Sequence, residues 1–336
     1  MLNSWIKKIK IMKGNGSLMA EKTKIKTSIG GSALIEGIMM RGPKRTTVAV
    51  RMADKSIYTE DIDFKAISDK GKFFKLPFIR GTVTMIDSMR LSMKCLMLSA
   101  EKSVEGTDEE NEEPSKFEAW LEDKLGDKLF GVVMTLASIV GVALSLLLFF
   151  ALPTAIFNLL AKAQPALDKG TMWRSVFEGL LKIIIFLGYI IIISRTPDMK
   201  RTFMYHGAEH KTIFCYENLE ELTVENVRKY QRFHPRCGTS FIIIMLLIGV
   251  IIGLFITAKN PILRTLIKLA LLPITCGFGY ELIKLCAKYD NALTRIVAAP
   301  GLAAQRITTI EPDDSMIEIA IAAIKPVIPE NGEDRI

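Results

Sequence analysis

The three histidines of this chain all fall between positions 206 and 234. Two of them belong to the pentapeptide His206-Gly-Ala-Glu209-His210, and the third opens the tetrapeptide His234-Pro-Arg-Cys237. A helix carries residues i and i+4 on one face, so His206 and His210 can bind one metal ion together. The order H-x-x-E-H is the inverted zinc-peptidase pattern, in which two imidazoles bind zinc and the carboxylate handles the proton of the attacking water. The pattern predicts a divalent metal, with zinc favoured, and Glu209 as the catalytic base.

The identity of a third ligand is left open by the sequence. Catalytic zinc usually takes three protein ligands and leaves one position for water. His234 ranks first by residue type, Cys237 ranks next as a thiolate, and Glu281 is a candidate because inverted zinc peptidases take a glutamate ligand from a later helix. A closed site that uses both His234 and Cys237 would be structural, whereas three ligands with a free glutamate would be catalytic. Without a metal, the histidines would cap helices or pair with acids such as Glu217 and Glu220.

Other charged residues could assist the same chemistry. Three basic side chains of this segment could steady a developing oxyanion or hold a phosphate: Arg201, Lys211 and Arg236. Glu36 and Arg41, in the glycine-rich segment at 30–43, could also face the site. The glycine spacing matches neither the dinucleotide-binding pattern nor the P-loop, so these glycines are expected to shape a loop between strands.

Hydropathy predicts a membrane protein. Hydrophobic residues make up 49% of the 336 positions while 24% are charged, so the charges must be segregated. We expect a mainly α, polytopic protein with about four transmembrane helices, since four apolar stretches approach the roughly 20 residues that a span needs. They are residues 129–152, 177–194, 239–256 and 262–287. A transporter is disfavoured, because the spans are expected to lack buried ion pairs and matching broken helices.

Charge distribution predicts the topology and the partners. Lysine and arginine crowd the first 100 residues and residues 195–236, which places both termini and the histidine segment in the cytoplasm of a multi-pass protein of the cell membrane. The basic leader at 1–27 is expected to be disordered and to attract anionic lipids at about 1 kcal/mol per basic residue. Nucleic acid is not an expected partner, since no zinc-finger spacing or aromatic RNA-binding signature occurs. The sequence indicates no particular protein partner.

The remaining organisation follows from local patterns. A small N-terminal cytoplasmic α+β lobe is predicted, with a hairpin around residues 53–56 and a third strand at 33–39. Residues 76–100 predict an amphipathic helix that lies either in the membrane interface or in the core of the lobe. The expected divisions are the leader at 1–27, the lobe with its interfacial helix at 28–100, an acidic linker at 101–118, two spans at 119–196, the metal segment at 197–238, two further spans at 239–289, and a cytoplasmic tail at 290–336 with a short helix at 314–323.

Four sequence blocks resemble the bacterial YqhQ-like family. They are GGSALIEGIMMRGP at 30–43, PFIRGTVTMIDSM at 77–89, YHGAEHKTIFCYE at 205–217 and FHPRCGTSF at 233–241. Members of that family are polytopic membrane proteins described as candidate metal-dependent enzymes of unknown function. The resemblance implies a location in the cytoplasmic membrane and a metal held by residues of the two histidine-containing blocks.

Two functional hypotheses result. The leading one is metal-dependent hydrolysis at the inner leaflet, on a membrane peptide or a lipid head group. The alternative is a non-enzymatic scaffold or assembly factor in which the metal stabilises the loop between spans two and three.

Overall fold

The computed structural model describes residues 24–105, 129–165, 170–258, 260–289 and 291–335. Most of the expected basic leader and acidic linker lies outside these residues. The chain divides into two compact units. Unit 1 contains the described residues up to Ser103, together with Ile190–Met245 and the chain from Cys276 onward, and unit 2 contains the described residues of Val104–Tyr189 and Leu246–Thr275.

Unit 1 contains a four-stranded antiparallel sheet, in which the strands follow one another in chain order: β1 (Gly30–Leu34), β2 (Gly37–Arg41), β3 (Thr46–Arg51) and β4 (Ile57–Asp61). The predicted hairpin is confirmed as β3 and β4, which pair from Arg51 with Ile57 to Thr47 with Asp61. The single strand expected at 33–39 is wrong. Two strands cover that region instead, because the chain turns at Ile35 and Glu36, and Glu36 adopts a positive φ of 48°.

The chain is mainly helical, as predicted. In chain order, the helices are α1 (Ile79–Val104), α2 (Leu129–Leu146), α3 (Leu152–Ala163), α4 (Thr171–Ile193), α5 (Pro197–Glu217), α6 (Val224–Arg228), α7 (Gly238–Gly253), α8 (Pro261–Ala270), α9 (Leu272–Lys288), α10 (Ala292–Thr308) and α11 (Asp314–Ile324). A π-helical segment, Leu147–Ala151, joins α2 to α3. Short 3-10 turns occur at Ile67–Lys70, Lys72–Lys75 and Lys325–Val327.

The sheet of unit 1 is covered on both faces. Successive side chains of a strand point to opposite faces, so Met40 lies on one face and Met39 on the other. The first face packs on α5 and α11 through residues such as Tyr205 and Ile317. The second face packs on α1, where Leu91 and Cys95 are buried. Helix α1 therefore contributes to the core of the lobe, although its Met89 and Met93 remain exposed.

The short helix predicted near the C-terminus forms part of this core. Asp313 caps α11 by accepting a hydrogen bond from the backbone N–H of Met316. Most of the apolar side chains of α11 are buried between the sheet and α5. Residues 314–324 are thus an integral layer of unit 1 rather than an appendage beyond the last span.

Two helical stretches are long and apolar enough to cross a membrane: Thr135–Ala163 and Thr171–Ile193. A third would be the pair Pro261–Ala270 and Leu272–Cys286, which is bent by 44° at its break. The stretch expected as span three forms α7, which has only 16 residues. The number of candidate spans among the described residues is therefore two or three, and the expected four is reached only if α7 also crosses.

One prediction about these helices is wrong. The apolar helices were expected to lack buried ion pairs, yet Glu178 of α4 contacts Arg174, Arg264 and Lys268 within unit 2. Hydropathy averaged over a window conceals such residues, because the surrounding leucines and isoleucines outweigh them.

Candidate metal centre

Helix α5 holds the H-x-x-E-H residues in the interior of unit 1. It begins with Pro197 at its first position, where the missing N–H costs nothing. Gly207 lies where the chain after α10 crosses the helix, and a Cβ atom there would lie 2.1 Å from the carbonyl oxygen of Ile310. The backbone N–H of Ile310 donates to the carbonyl of Phe203 at 2.9 Å. Glycine is unfavourable in the interior of a helix. Gly207 is nevertheless needed here, because only a residue without a Cβ atom allows this close approach.

Two backbone carbonyls orient the paired imidazoles. The Nδ1 atom of His206 lies 2.8 Å from the carbonyl oxygen of Thr308, and that of His210 lies 2.6 Å from the carbonyl oxygen of Arg232. A carbonyl can only accept, so Nδ1 carries the proton in both rings. Each Nε2 is the nitrogen left for a metal, which is the usual arrangement of metal-binding histidines and requires that Nε2 carry no proton. Burial lowers the pKa of His206, but Cys237 and Glu209 outweigh burial and raise it to about 9, so binding of a metal would displace the Nε2 proton of His206.

Cys237 completes a group of three ligand atoms. Its Sγ lies 3.2 Å from Nε2 of His206, and the ligand atoms of His206, His210 and Cys237 all lie within 4.8 Å of one another. Burial raises the pKa of the thiol, but the two imidazoles outweigh burial and hold that pKa well below its usual value. Cys237 directly precedes α7, and its sulfur accepts from the backbone N–H of Thr239 at 3.3 Å. The sulfur is therefore poised as a thiolate.

Glu209 lies on the same helix and is only 5% exposed. Burial raises the pKa of its carboxyl group, and the two histidines lower it in part. The carboxyl group lies beside Gly31 of β1, whose backbone N–H also lowers that pKa. A Cβ atom at Gly31 would lie 2.5 Å from the carbonyl oxygen of Met39 and 3.0 Å from Cδ of Glu209. The glycine of the N-terminal block thus makes room for the acid of the histidine segment.

His234 is adjacent to this group but does not join it. Its ring centroid lies 5.5 Å from that of His210, and its Nδ1 accepts from the backbone N–H of Arg236 at 3.3 Å. Its Nε2 lies 3.7 Å from Glu217. Burial, together with Arg236 and His210, lowers the pKa of His234 to about 4 despite the opposing effect of Glu217. The structure therefore places Cys237, and not His234, beside His206 and His210, although His234 had ranked first by residue type.

Glu281 is also outside the group. Its two carboxylate oxygens accept from Arg80 of α1, at 2.7 Å from Nε and 2.5 Å from Nη2. Such a bidentate pair occupies the oxygens that a metal would need. The proposed role of Glu281 as a third ligand is therefore not supported.

The remaining charged candidates are engaged elsewhere. Arg201 forms a bidentate pair with Glu36, which also accepts from the hydroxyl of Tyr205 at 3.2 Å. The guanidinium of Arg41 lies 5.9 Å from the ring centroid of Phe64. The other two pairs are Lys211 with Glu311 and Arg236 with Glu217. Each cation of the histidine segment that was expected to hold an oxyanion is therefore neutralised by a carboxylate.

Comparison with known proteins identifies the family of this chain. A family described as protein of unknown function DUF1385 matches residues 76–330, which include the whole histidine segment. The chain belongs to that family. It is 33% identical over 308 residues to the uncharacterized protein YqhQ of Bacillus subtilis strain 168, an alignment that covers 91% of this chain and 94% of the relative. The YqhQ-like resemblance is thereby confirmed. No solved structure matches the chain.

Sequence reasoning missed the residues that hold the site in place. Gln305 of α10 is fully buried, donates to the carbonyl of His234 at 2.7 Å and accepts from the N–H of the same residue at 2.8 Å. Thr308 and Arg232 act through backbone carbonyls, which no side-chain pattern can reveal. The one available signal was Gly31, since a glycine within a strand often indicates close approach of another group.

Proposed function

We propose that this chain is a metal-dependent hydrolase that binds zinc through His206, His210 and Cys237. The observation that carries the proposal is the convergence of two Nε2 atoms and one thiolate sulfur, with both Nδ1–H groups tied to backbone carbonyls. Imidazole and thiolate together suit zinc better than calcium or magnesium, which prefer oxygen. Three protein ligands correspond to the catalytic class, which keeps a fourth position open.

The residues of the site would each have a separate role in the proposed hydrolysis. When bound, zinc supplies Lewis acidity and makes water acidic enough to act as a nucleophile near neutral pH. Glu209 would accept the proton of the attacking water on its carboxylate and return it to the leaving group. Its raised pKa suits this role, because a general base works best when its pKa lies near the working pH. The carbonyls of Thr308 and Arg232 would hold the imidazoles in the required orientation.

A membrane substrate is supported by the position of the site along the chain. The apolar helix α4 ends at Ile193, four residues before α5 begins, and Cys237 directly precedes the apolar helix α7. In the part of the chain that the structure describes, two helical stretches are apolar enough to span a membrane, or three if the bent pair α8 and α9 counts as one span. We place the site at the cytoplasmic face of the cell membrane, since residues 195–236 are rich in lysine and arginine. The substrate would be a membrane peptide or a lipid head group.

Burial of the site favours a second candidate function, a structural metal. His210 is 1% exposed and Cys237 is also buried. An ion held by both residues would join α5 to the start of α7 and stabilise the connection between them. In that case Glu209 would serve packing alone, and no fourth position would accept a ligand.

Cobalt substitution separates the two functions without knowledge of the substrate. The full chain, purified in detergent, would be loaded with cobalt(II) and titrated with acetohydroxamate, a chelator that needs an open coordination position. A catalytic site predicts a change in the visible absorption spectrum, whereas a closed structural site predicts none. Failure of the wild-type protein to bind a stoichiometric divalent metal would refute both candidates.

The role of Glu209 requires a second measurement. Glu209→Gln keeps the size and the hydrogen-bonding capacity of the side chain but cannot take up a proton. If Glu209 is the base, the variant should keep its metal and its acetohydroxamate response, yet lose any metal-dependent hydrolysis found with peptide or glycerophospholipid probes. A variant that hydrolyses such a probe as fast as the wild-type protein would exclude Glu209 as the base.

A further inference from the structure

A second cluster of charge lies in unit 2, within the apolar helices. Glu178 of α4 accepts from Nε of Arg174 at 2.8 Å, from Nε of Arg264 at 3.0 Å and from Nζ of Lys268 at 2.5 Å. Arg264 is 0% exposed, and Glu178 is 1% exposed. Arginine and lysine are rare inside apolar helices and mark functional sites when they occur there.

The arginines of this cluster also donate hydrogen bonds to polar groups of unit 2. Arg264 donates through Nη2 to the hydroxyl of Ser175 at 2.5 Å and through Nη1 to the carbonyl of Ile256 at 2.7 Å. Arg174 donates through Nη2 to the side-chain carbonyl of Asn158 at 2.7 Å. The cations are therefore held in fixed positions by polar groups from separate segments of unit 2.

The charges of the cluster do not balance. Arg174, Arg264 and Lys268 share the single carboxylate of Glu178, which leaves an excess of two positive charges. Lys182 lies one helical turn beyond Glu178 on the same face of α4. Its ammonium lies 4.2 Å from the ring centroid of Phe150, and it pairs with no carboxylate among the residues that the structure describes. Excess cationic charge that is poorly solvated favours the binding of an anion.

The side chains differ in their access to such an anion. Arg264 has no exposed surface, and its charge is compensated by Glu178. Arg174 and Lys268 retain 10% and 14% exposure, and Lys182 is half-buried. Arg174, Lys182 and Lys268 are therefore the groups that an incoming anion would contact.

An apolar cavity adjoins the cluster. It has a volume of about 570 Å³ and is lined by Ile252, Phe255, Ile256, Thr257, Ala258, Leu263, Ile267 and Leu271. Two of these residues, Ile256 and Ala258, also accept hydrogen bonds from Arg264. Leu263 and Ile267 directly precede Arg264 and Lys268 along α8. A ligand of this region would thus have an anionic group and an apolar portion.

We propose that unit 2 contains a binding site for a phosphate group, with a phosphate-bearing lipid as its source. A lipid phosphodiester carries one negative charge and a phosphomonoester up to two, so a bound phosphate would offset part of the excess positive charge of the cluster. The guanidinium of Arg174 already donates through Nε and Nη2 to Glu178 and Asn158 and would offer Nη1 to the phosphate. The ammonium groups of Lys182 and Lys268 act as point charges. The cavity accommodates part of an acyl chain. This site is independent of the proposed metal chemistry in unit 1.

Native mass spectrometry of the full chain in detergent tests this site. The protein would be incubated with phosphatidylglycerol, with diacylglycerol, which lacks the phosphate, or with inorganic phosphate. We expect wild-type protein to retain phosphatidylglycerol and not diacylglycerol. Lys182→Gln and Lys268→Gln should each weaken retention by roughly 30-fold or more, as the loss of one charged partner of a buried anion does. Lys182→Gln breaks no ion pair, so its fold should remain intact.

Matched controls make the outcome decisive. Lys182→Arg keeps the charge and should retain the lipid, and Lys162→Gln removes an exposed lysine of the same unit and should bind as the wild type does. Stabilisation by inorganic phosphate, lost in the two glutamine variants, would support the phosphate site and assign it to a soluble phosphate. The proposal is overturned if neither phosphate probe binds wild-type protein, if the two glutamine variants bind as well as wild type, or if Lys162→Gln loses as much.

Discussion

At the residue scale, two carbonyl oxygens decide what the histidine pair can do. Thr308 and Arg232 each accept a proton-bearing Nδ1, so both Nε2 atoms are presented toward the sulfur of Cys237. The opposite tautomer would leave an N–H pointing at the proposed ion. The proposed binding of a metal by this pair therefore depends on backbone groups as much as on the imidazoles themselves.

Replacement of the sulfur should distinguish Cys237 from the other cysteines. We expect Cys237→Ser to lower the affinity for zinc by roughly 100-fold or more, since loss of a direct ligand exceeds the loss of a supporting contact. It should also abolish the thiolate-to-cobalt charge-transfer band. Cys215→Ser is the matched control, because Cys215 is buried in the same unit but lies near backbone carbonyls only. Equal metal binding by both variants would contradict the assignment.

His234 should make the stability of the fold depend on pH. Its folded-state pKa of about 4 lies below the ordinary value of 6.5, so the unfolded chain binds more protons between these values. The free energy of unfolding should therefore fall as the pH drops from about 6.5 to about 4, by at most about 3 kcal/mol from this group. Denaturant titrations at several pH values should show a smaller fall for His234→Gln. An identical pH profile would contradict the assignment.

At the element scale, the site depends on a strand and a helix that are far apart in sequence. Gly31 of strand β1 lies beside the carboxyl group of Glu209 in α5, since a Cβ atom at Gly31 would lie 3.0 Å from Cδ of Glu209. Helix α11 covers the same face of the sheet, so the C-terminal region holds α5 against the N-terminal strands. Helix α11 packs on both the sheet and α5, so its buried apolar side chains stabilise the position of these two elements.

Two neighbouring glycines allow this arrangement to be tested. Gly31→Ala should destabilise the protein by about 1 to 3 kcal/mol, since its Cβ would collide with Met39 and press on Glu209. Gly30→Ala should change stability little, because no atom lies within 4 Å of a Cβ atom there. Thermal unfolding of both variants, measured side by side, checks the contact. The contact between β1 and α5 would be disproved if the two variants unfolded at the same temperature.

At the scale of the whole molecule, the two units carry different chemistry. Unit 1 holds the candidate metal centre in a layered α/β core, and unit 2 holds a cationic cluster among apolar helices. If both proposals hold, the chain would bind a polar substrate through unit 1 and a lipid through unit 2. That combination accords with the proposed position at the inner surface of the cell membrane.

Reporter fusions test the proposed topology. A reporter inserted after Asn218 and another fused to the C-terminus should both indicate the cytoplasm, because the basic segment at 195–236 resists translocation. A control fusion in the connection at 166–169, between the two candidate spans Thr135–Ala163 and Thr171–Ile193, should indicate the opposite side. An extracytoplasmic signal at Asn218 would refute the placement of the metal centre.

Local patterns in the sequence were enough to predict the helical class, the β3–β4 hairpin, the helix that bears His206 and His210, and the capped helix at the C-terminal end. Each of these depends on hydrophobic periodicity or on residues at fixed short spacing, and both are local properties. The choice of Cys237 over His234, the pairing of Glu281 with Arg80 and the support from Gly31 and Gln305 required the tertiary structure. Those contacts join residues tens to hundreds of positions apart, and only the packing of the layers determines which of several chemically suitable side chains meet.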